Sequence, residues 1–287
     1  MSFREAIERE MAKQRRMQLA TDEGRWRARK RFGQHFLEPA WADKVVDAIA
    51  PLPDDRFLEI GPGPGILTTR LASRVRELTA IEIDRDLAAR LTPSLPPNAR
   101  MLVADVLSVD LAPMTSDGPL RVAGNLPYYV SSPIIFKLIE SARRTRAIPD
   151  ATVMLQLEVA ERLIATVGTA DYGVLAILTQ LHADVTRVLT LPPGAFRPMP
   201  KVRSAVVRLA FRPPAVDIGD QTTFERLVRT IFTQRRKTIL NALRPFAEPL
   251  GRDPASALAR AGIDSRRRPE TLDLRELAAL AQRLHEA

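Results

Sequence analysis

A short apolar run, Arg56-Phe-Leu-Glu-Ile60, meets three glycines in five residues, Gly61-Pro-Gly63-Pro-Gly65, and helical periodicity begins at once in Ile66-Leu-Thr-Thr-Arg-Leu-Ala72. Strand, glycine turn and helix together make a ligand loop, because glycine lets backbone approach a bound group and a helix start presents free N–H donors. The dinucleotide fingerprint needs its third glycine at position 66, where this chain has Ile66. A phosphate loop of the Gly-Lys-Ser/Thr kind is absent as well. These two departures argue against NAD and against a nucleoside-triphosphate loop.

Two further strand ends carry acids. Leu78-Thr-Ala-Ile-Glu82-Ile-Asp84 reads as a second strand, and Glu82 falls about 20 residues past the first glycine, where an acid takes a ribose diol. Arg100-Met-Leu-Val-Ala104 reads as a third, ending at Asp105, which is placed to accept from an adenine amino group. Either acid is equally a helix N-cap or a solvated strand end when taken alone. Their succession at the carboxyl ends of consecutive strands points to one ligand edge.

A fourth strand, Leu120-Arg-Val-Ala-Gly124, runs directly into Asn125-Leu-Pro-Tyr128. By itself this is also a strand end and a proline turn. It suits one hard reaction, alkylation of an exocyclic amine on a flat base. Such a nitrogen delocalises its lone pair into the ring. Two acceptors for its N–H hydrogens, the Asn125 side-chain oxygen and the Leu126 carbonyl, would draw it toward tetrahedral geometry. Pro127 restricts Leu126 to extended backbone, and Tyr128 offers a ring for stacking.

These motifs are similar to those of S-adenosylmethionine-dependent methyltransferases with a Rossmann-like sheet. More closely, Gln34-His-Phe-Leu37, Glu59-Ile-Gly-Pro-Gly63, Asn125-Leu-Pro-Tyr128 and Phe196-Arg-Pro-Met-Pro-Lys-Val202-Arg-Ser204 resemble the motif set of the ribosomal RNA adenine N6-dimethyltransferases. Tyr172-Gly173 and Phe232-Thr-Gln-Arg-Arg-Lys-Thr238 resemble its small-subunit branch. The resemblance covers roughly residues 29 to 285. It implies S-adenosylmethionine held by Gln34, His35, Leu37, Gly61, Gly63, Glu82, Asp105 and Asn125. It implies a target adenine held by Asn125 and Leu126 between the rings of Tyr128 and Phe196. The implied reaction is N6,N6-dimethylation of two adjacent adenosines near the 3′ end of small-subunit rRNA, with a role in subunit biogenesis. The chain departs from the family pattern at His35 and Tyr129, where asparagine is frequent. Two alternatives stay open: a large-subunit dimethyltransferase of the macrolide-resistance type, and a non-catalytic RNA-binding assembly factor on the same fold.

The expected fold class is α/β, a Rossmann-like methyltransferase sheet with helices on both faces, plus a small all-helical C-terminal domain. Trp41, Val45, Val46 and Ile49 make a helix stripe ahead of the first strand, and Val153-Met-Leu-Gln-Leu157 reads as a strand followed by a helix over 159–165. Alternating apolar residues from Ala205 to Phe211 predict a late strand able to pair antiparallel. Pro213-Pro214 marks a boundary, giving a charged extension over 1–28, a methyltransferase domain over 29–212 and a helical RNA-binding domain over 213–287. Helices are predicted there at 222–233, 235–245, 254–261 and 272–285. Arg235, Arg236 and Lys237 are either a solvated helix face or a phosphate contact.

Lys plus Arg number 43 against 34 Asp plus Glu, which suits a polyanionic partner; the resemblance implies that this partner is small-subunit rRNA or an immature small subunit. A chain without cysteine and with three scattered histidines, at 35, 182 and 285, offers no metal cluster. It contains no apolar run of membrane length. The first residues are Arg-rich yet carry Glu5, Glu8, Glu10, Asp22 and Glu23, unlike a transit peptide, and residues 3–20 read as an exposed charged helix. The expectation is a cytoplasmic, metal-free monomer.

Overall fold

A computed structural model describes residues 35–285. Gln34, the charged extension and its expected helix lie outside them. A two-residue strand β1 (Phe36–Leu37) leads into α1 (Pro39–Ile49). Then follow β2 (Arg56–Ile60), α2 (Ile66–Ala72), β3 (Glu77–Glu82), α3 (Arg85–Leu91), β4 (Ala99–Val103), β5 (Arg121–Asn125), α4 (Ser131–Thr145) and β6 (Asp150–Gln156). After α5 (Leu157–Leu163) and α6 (Val174–His182) come β7 (Ala183–Leu191), β8 (Phe196–Arg197) and β9 (Ser204–Phe211).

Seven strands form one sheet in the order β4-β3-β2-β5-β6-β9-β7. The first five run parallel. The late strand β9 lies antiparallel between β6 and β7, as its alternation predicts. Strand β2 is buried along its whole length and shows why both faces are covered. Phe57 packs into a cluster with Val45, Val46 and Leu71, while Leu58 packs on the other side with Ile135 and Leu138. Chain order reverses at β2 and β5, the switch point where open α/β sheets bind ligands. Ile60 pairs with Gly124 there, and a Cβ on Gly124 would lie 2.3 Å from the Ile60 carbonyl oxygen, so the two strand ends meet this closely only with glycine.

Four helices follow Pro213-Pro214: α7 (Gln221–Thr233), α8 (Ile239–Ala247), α9 (Pro254–Arg260) and α10 (Leu274–His285). The second helix starts at Ile239 and not at residue 235. Lys237 N–H returns to the Gln234 carbonyl at 2.8 Å, so Arg235-Arg236-Lys237 is a turn between helices and not a helix face. The segment with α6 and β7 is likewise an addition to the elements read from sequence. The apolar core does not divide at the double proline. Leu227, Ile231, Leu243 and Leu277 pack in one cluster with Ile177 and Leu181 of α6, and the Tyr172 ring meets Phe232 edge-on at 6.3 Å. The double proline separates kinds of element but does not divide the cluster that the C-terminal helices share with α6.

Candidate active site

The carboxyl edge of the sheet gathers most of the expected residues around one hollow. His35, Leu37, Gly61, Gly63, Glu82, Asn125, Leu126 and Tyr128 all line it. Three left-handed glycines, with φ of +69°, +54° and +87° at 61, 63 and 65, fold the turn back on itself. Gly61 N–H donates to the Ile81 carbonyl at 2.9 Å, and Gly63 N–H donates to Glu82 Oε2 at 3.2 Å. The other Glu82 oxygen accepts from Asp84 N–H at 2.9 Å. Glu82 is thereby fixed beside the turn, although burial raises its pKa above the ordinary carboxylate value and these backbone bonds offset only part of that. Asp84 caps α3 by accepting from Asp86 and Leu87 N–H, so the acid at the end of that run is structural.

Asn125 closes β5, and its amide is oriented from the opposite side. Its Nδ2 donates to the His35 backbone carbonyl at 2.7 Å, which leaves Oδ1 without a partner among the described residues. The Leu126 N–H is tied to the Met154 carbonyl at 3.0 Å, fixing the peptide that carries its own carbonyl. Tyr128 is anchored through its hydroxyl to Ser204 Oγ at 2.7 Å, and the His35 ring stacks on it at 5.2 Å. His35 Nδ1 also meets the Pro198 carbonyl at 2.7 Å, so the N-terminal segment bridges the Asn-Leu-Pro-Tyr motif and the proline loop.

Two expected residues stand elsewhere. Phe196 is 1% exposed and packs in the core with Leu37, with which it pairs across β1 and β8. Its side chain does not line the hollow, and β8 places it on the buried side while Arg197 is exposed. Asp105 is half-buried at the end of β4 and outside the walls of the hollow, and its Oδ1 accepts from Leu107 N–H at 2.9 Å. Of the basic triplet, Arg235 pairs with Glu270 at 3.1 Å, while Arg236 and Lys237 are exposed.

Sequence reasoning missed two contributors. Glu59 is 1% exposed at the floor of the hollow, and its Oε2 has no hydrogen-bond partner. Burial pushes its pKa up to about 7, with Glu82 adding to the rise and Thr68 opposing it from nearby without a hydrogen bond of ordinary geometry. An acid inside a strand buried on both faces is a costly choice, and that was its signal. Ile83, 45% exposed, and Tyr129 put two exposed apolar side chains into the lining of the same hollow. Among the described residues no group of three or more His, Asp or Glu side chains is arranged to hold a metal.

The family model for ribosomal RNA adenine dimethylase matches residues 25–278. The chain belongs to the ribosomal RNA adenine dimethylase family. A ribosomal RNA small subunit methyltransferase A from Xylella fastidiosa is 42% identical over 260 residues, 88% of this chain and 95% of that protein. Another, from Aromatoleum aromaticum, is 46% identical over 237 residues, 79% of this chain and 87% of that one. Among solved structures, a dimethyladenosine transferase from Plasmodium falciparum aligns with TM-score 0.68 and 27% identity, covering 86% of this chain and 96% of that one. The 23S rRNA methyltransferase ErmE aligns with TM-score 0.62 and 29% identity, covering 87% and 99%. The two structures place the family's fold on this chain about equally well. The sequence relatives, at higher identity, carry the small-subunit name.

Proposed function

We propose that this adenine dimethylase binds S-adenosylmethionine at the carboxyl edge of β2, β3 and β5 and dimethylates N6 of adenosine in small-subunit rRNA, at two adjacent adenosines near its 3′ end. The observation that carries the reading is the fixed Asn125 amide, with a free Oδ1 at the switch point beside the glycine turn. The small-subunit assignment rests on relatives at 42–46% identity over most of the chain. The large-subunit alternative has the ErmE likeness in its favour, at lower identity.

The residues fit the cofactor. Glu82, both oxygens of which accept backbone N–H groups, would take the ribose diol, Ile83 would give its adenine a shelf, and the unpartnered Oε2 of Glu59 would serve as a buried acceptor. When bound, S-adenosylmethionine supplies an electrophilic methyl carbon on a sulfonium, so the protein's task is positioning and electrostatics. Asn125 Oδ1 and the Leu126 carbonyl accept the two N6 hydrogens and localise the nitrogen lone pair. Tyr128, held by Ser204, presents its ring to the base. The proton leaves to water after each transfer. The second transfer proceeds with a single N–H, so only one of the two acceptors is engaged. Cytoplasmic location, a role in subunit assembly and action as a monomer are part of this proposal. Among the described residues no helix is long and apolar enough to cross a membrane.

Calorimetry tests the cofactor part. Titration of S-adenosylmethionine in the presence of a chelator is expected to show binding, and Glu82→Ala is expected to weaken it at least tenfold. Affinity unchanged by that substitution would remove Glu82 from the ribose.

A further inference from the structure

His182 is the odd residue of the fold. It ends α6, is 2% exposed, and neither ring nitrogen has a hydrogen-bond partner. Gln221 approaches the ring but closes no bond of ordinary geometry. Buried polar groups without partners are uncommon and ask for a reason. The ring lines a cleft of about 840 Å³, within the size range of small-molecule sites.

This cleft is far from the active site. Its walls come from the carboxyl end of α4, the start of β6 and the end of antiparallel β9, all on the amino edge of the parallel strands. Asn125 stands on the opposite edge, about 20 Å away for a strand of β6's length. Ile148, Pro149, Phe211 and Pro213 give it apolar walls. Arg143, Arg144, Arg146 and Arg212 give it cations, with Glu140 the one acid in the lining. Two of those guanidinium groups are already committed: Arg144 pairs with Asp110, and Arg212 pairs with Asp184 at 2.8 Å and also donates to the Gln180 and Leu181 carbonyls. Arg143 and Arg146 are exposed and have no ion-pair partner among the described residues. Arginine in a last helical turn is ordinary and explains Arg143 by itself. It does not explain two unpaired cations over a cavity that also holds an unpartnered buried imidazole.

We infer that this cleft is a second binding site, for a nucleotide, with phosphate between Arg143 and Arg146, the base against Phe211 and Pro213, and His182 donating a hydrogen bond to the ligand. Guanidinium forks suit phosphate oxygens, and an apolar wall suits a base. The nucleotide belongs either to the RNA substrate or to the free pool, and the chemistry of the site is the same for both. Burial, with Arg143 and Arg212 adding to it, holds the His182 pKa down to about 4, so the ring is neutral at pH 7 and keeps one N–H for donation.

The full-length chain, labelled at histidine, carries three histidine signals, and His182→Gln assigns the one of interest. AMP, inorganic phosphate and a short single-stranded oligoribonucleotide are titrated in turn while the His182 signal is followed by NMR. Saturable shifts are expected with AMP, more weakly with phosphate, and both should weaken at least tenfold in R143E/R146E, whose altered side chains are exposed and outside the core. If the oligoribonucleotide also shifts His182, and the same variant lowers the salt slope of its binding by about two, the source is RNA. Response to AMP alone assigns the free nucleotide. No shift of His182 with any probe at millimolar concentration, or shifts that survive the charge reversal, would overturn the site. Equal affinity for phosphate and AMP would overturn the role of the apolar wall. None of these readouts depends on methyl transfer.

Discussion

Asn125 has a role only if its amide points one way, and the bond from Nδ2 to the His35 carbonyl fixes that orientation. The sequence showed the motif but not this bond, because its two ends are 90 residues apart. Asn125→Ala is expected to lower kcat by on the order of 10²–10³ at saturating cofactor while RNA affinity changes little, since a contact made in the transition state acts on rate. Single-turnover methylation measures it, and a rate within a few-fold of the parent would contradict the role. Glu59 gives a second prediction at this scale. Its native pKa of about 7 exceeds the ordinary 4.5, so between those values the native chain keeps a proton that the unfolded chain has released. Stability therefore falls as pH rises through that window, by at most about 3 kcal/mol. His182 acts in the opposite sense, losing stability as pH falls from 6.5 toward about 4. The difference between parent and Glu59→Gln cancels that contribution. In urea unfolding without cofactor, Glu59→Gln should gain on the parent from pH 5 to pH 8; parallel curves would contradict the buried, protonated carboxyl.

The elements legible in the sequence were those with an unmistakable local pattern. β2 and its glycine turn, the strand ends at Glu82 and Asn125, and the alternation of β9 all lie where they were read. Less legible were α6, whose burial extends around most of its surface, and β7, which is exposed or half-exposed along most of its length, so that neither shows a clean apolar face. The basic triplet read as helix because Arg and Lys favour helices, whereas the bond from Lys237 to Gln234 makes a turn and α8 begins only at Ile239. The place of Phe196 was not legible either: its role at the base comes from the resemblance alone, and its burial beside Leu37 depends on the pairing of β1 with β8, two segments far apart in the chain. The turn geometry changes a number. With Arg235 engaged by Glu270, two cations remain without an ion-pair partner among the described residues, so Ala at all three positions should lower the salt slope of RNA binding by about two and leave cofactor affinity as it was. Filter binding across a salt series measures this; an unaltered slope would make the turn a solvated surface.

At the scale of the molecule, the parts cooperate through shared packing. The C-terminal helices bury their apolar faces in the same cluster as α6, which itself precedes the outer strands of the sheet, so the basic turn is carried on a base that includes α6. The net charge of +9 suits an RNA partner but says nothing of which RNA, and the fold is shared with a 23S rRNA methyltransferase, while the sequence relatives carry the small-subunit name. Substrate choice is thus the point on which the functional reading depends. It is tested most directly by incubating the chain with methyl-labelled S-adenosylmethionine and, separately, small and large ribosomal subunits lacking the modification, then digesting the rRNA to nucleosides. Label is expected as N6,N6-dimethyladenosine in the small-subunit rRNA and to be lost with Asn125→Ala. Label confined to the large subunit, or none in either, would contradict it.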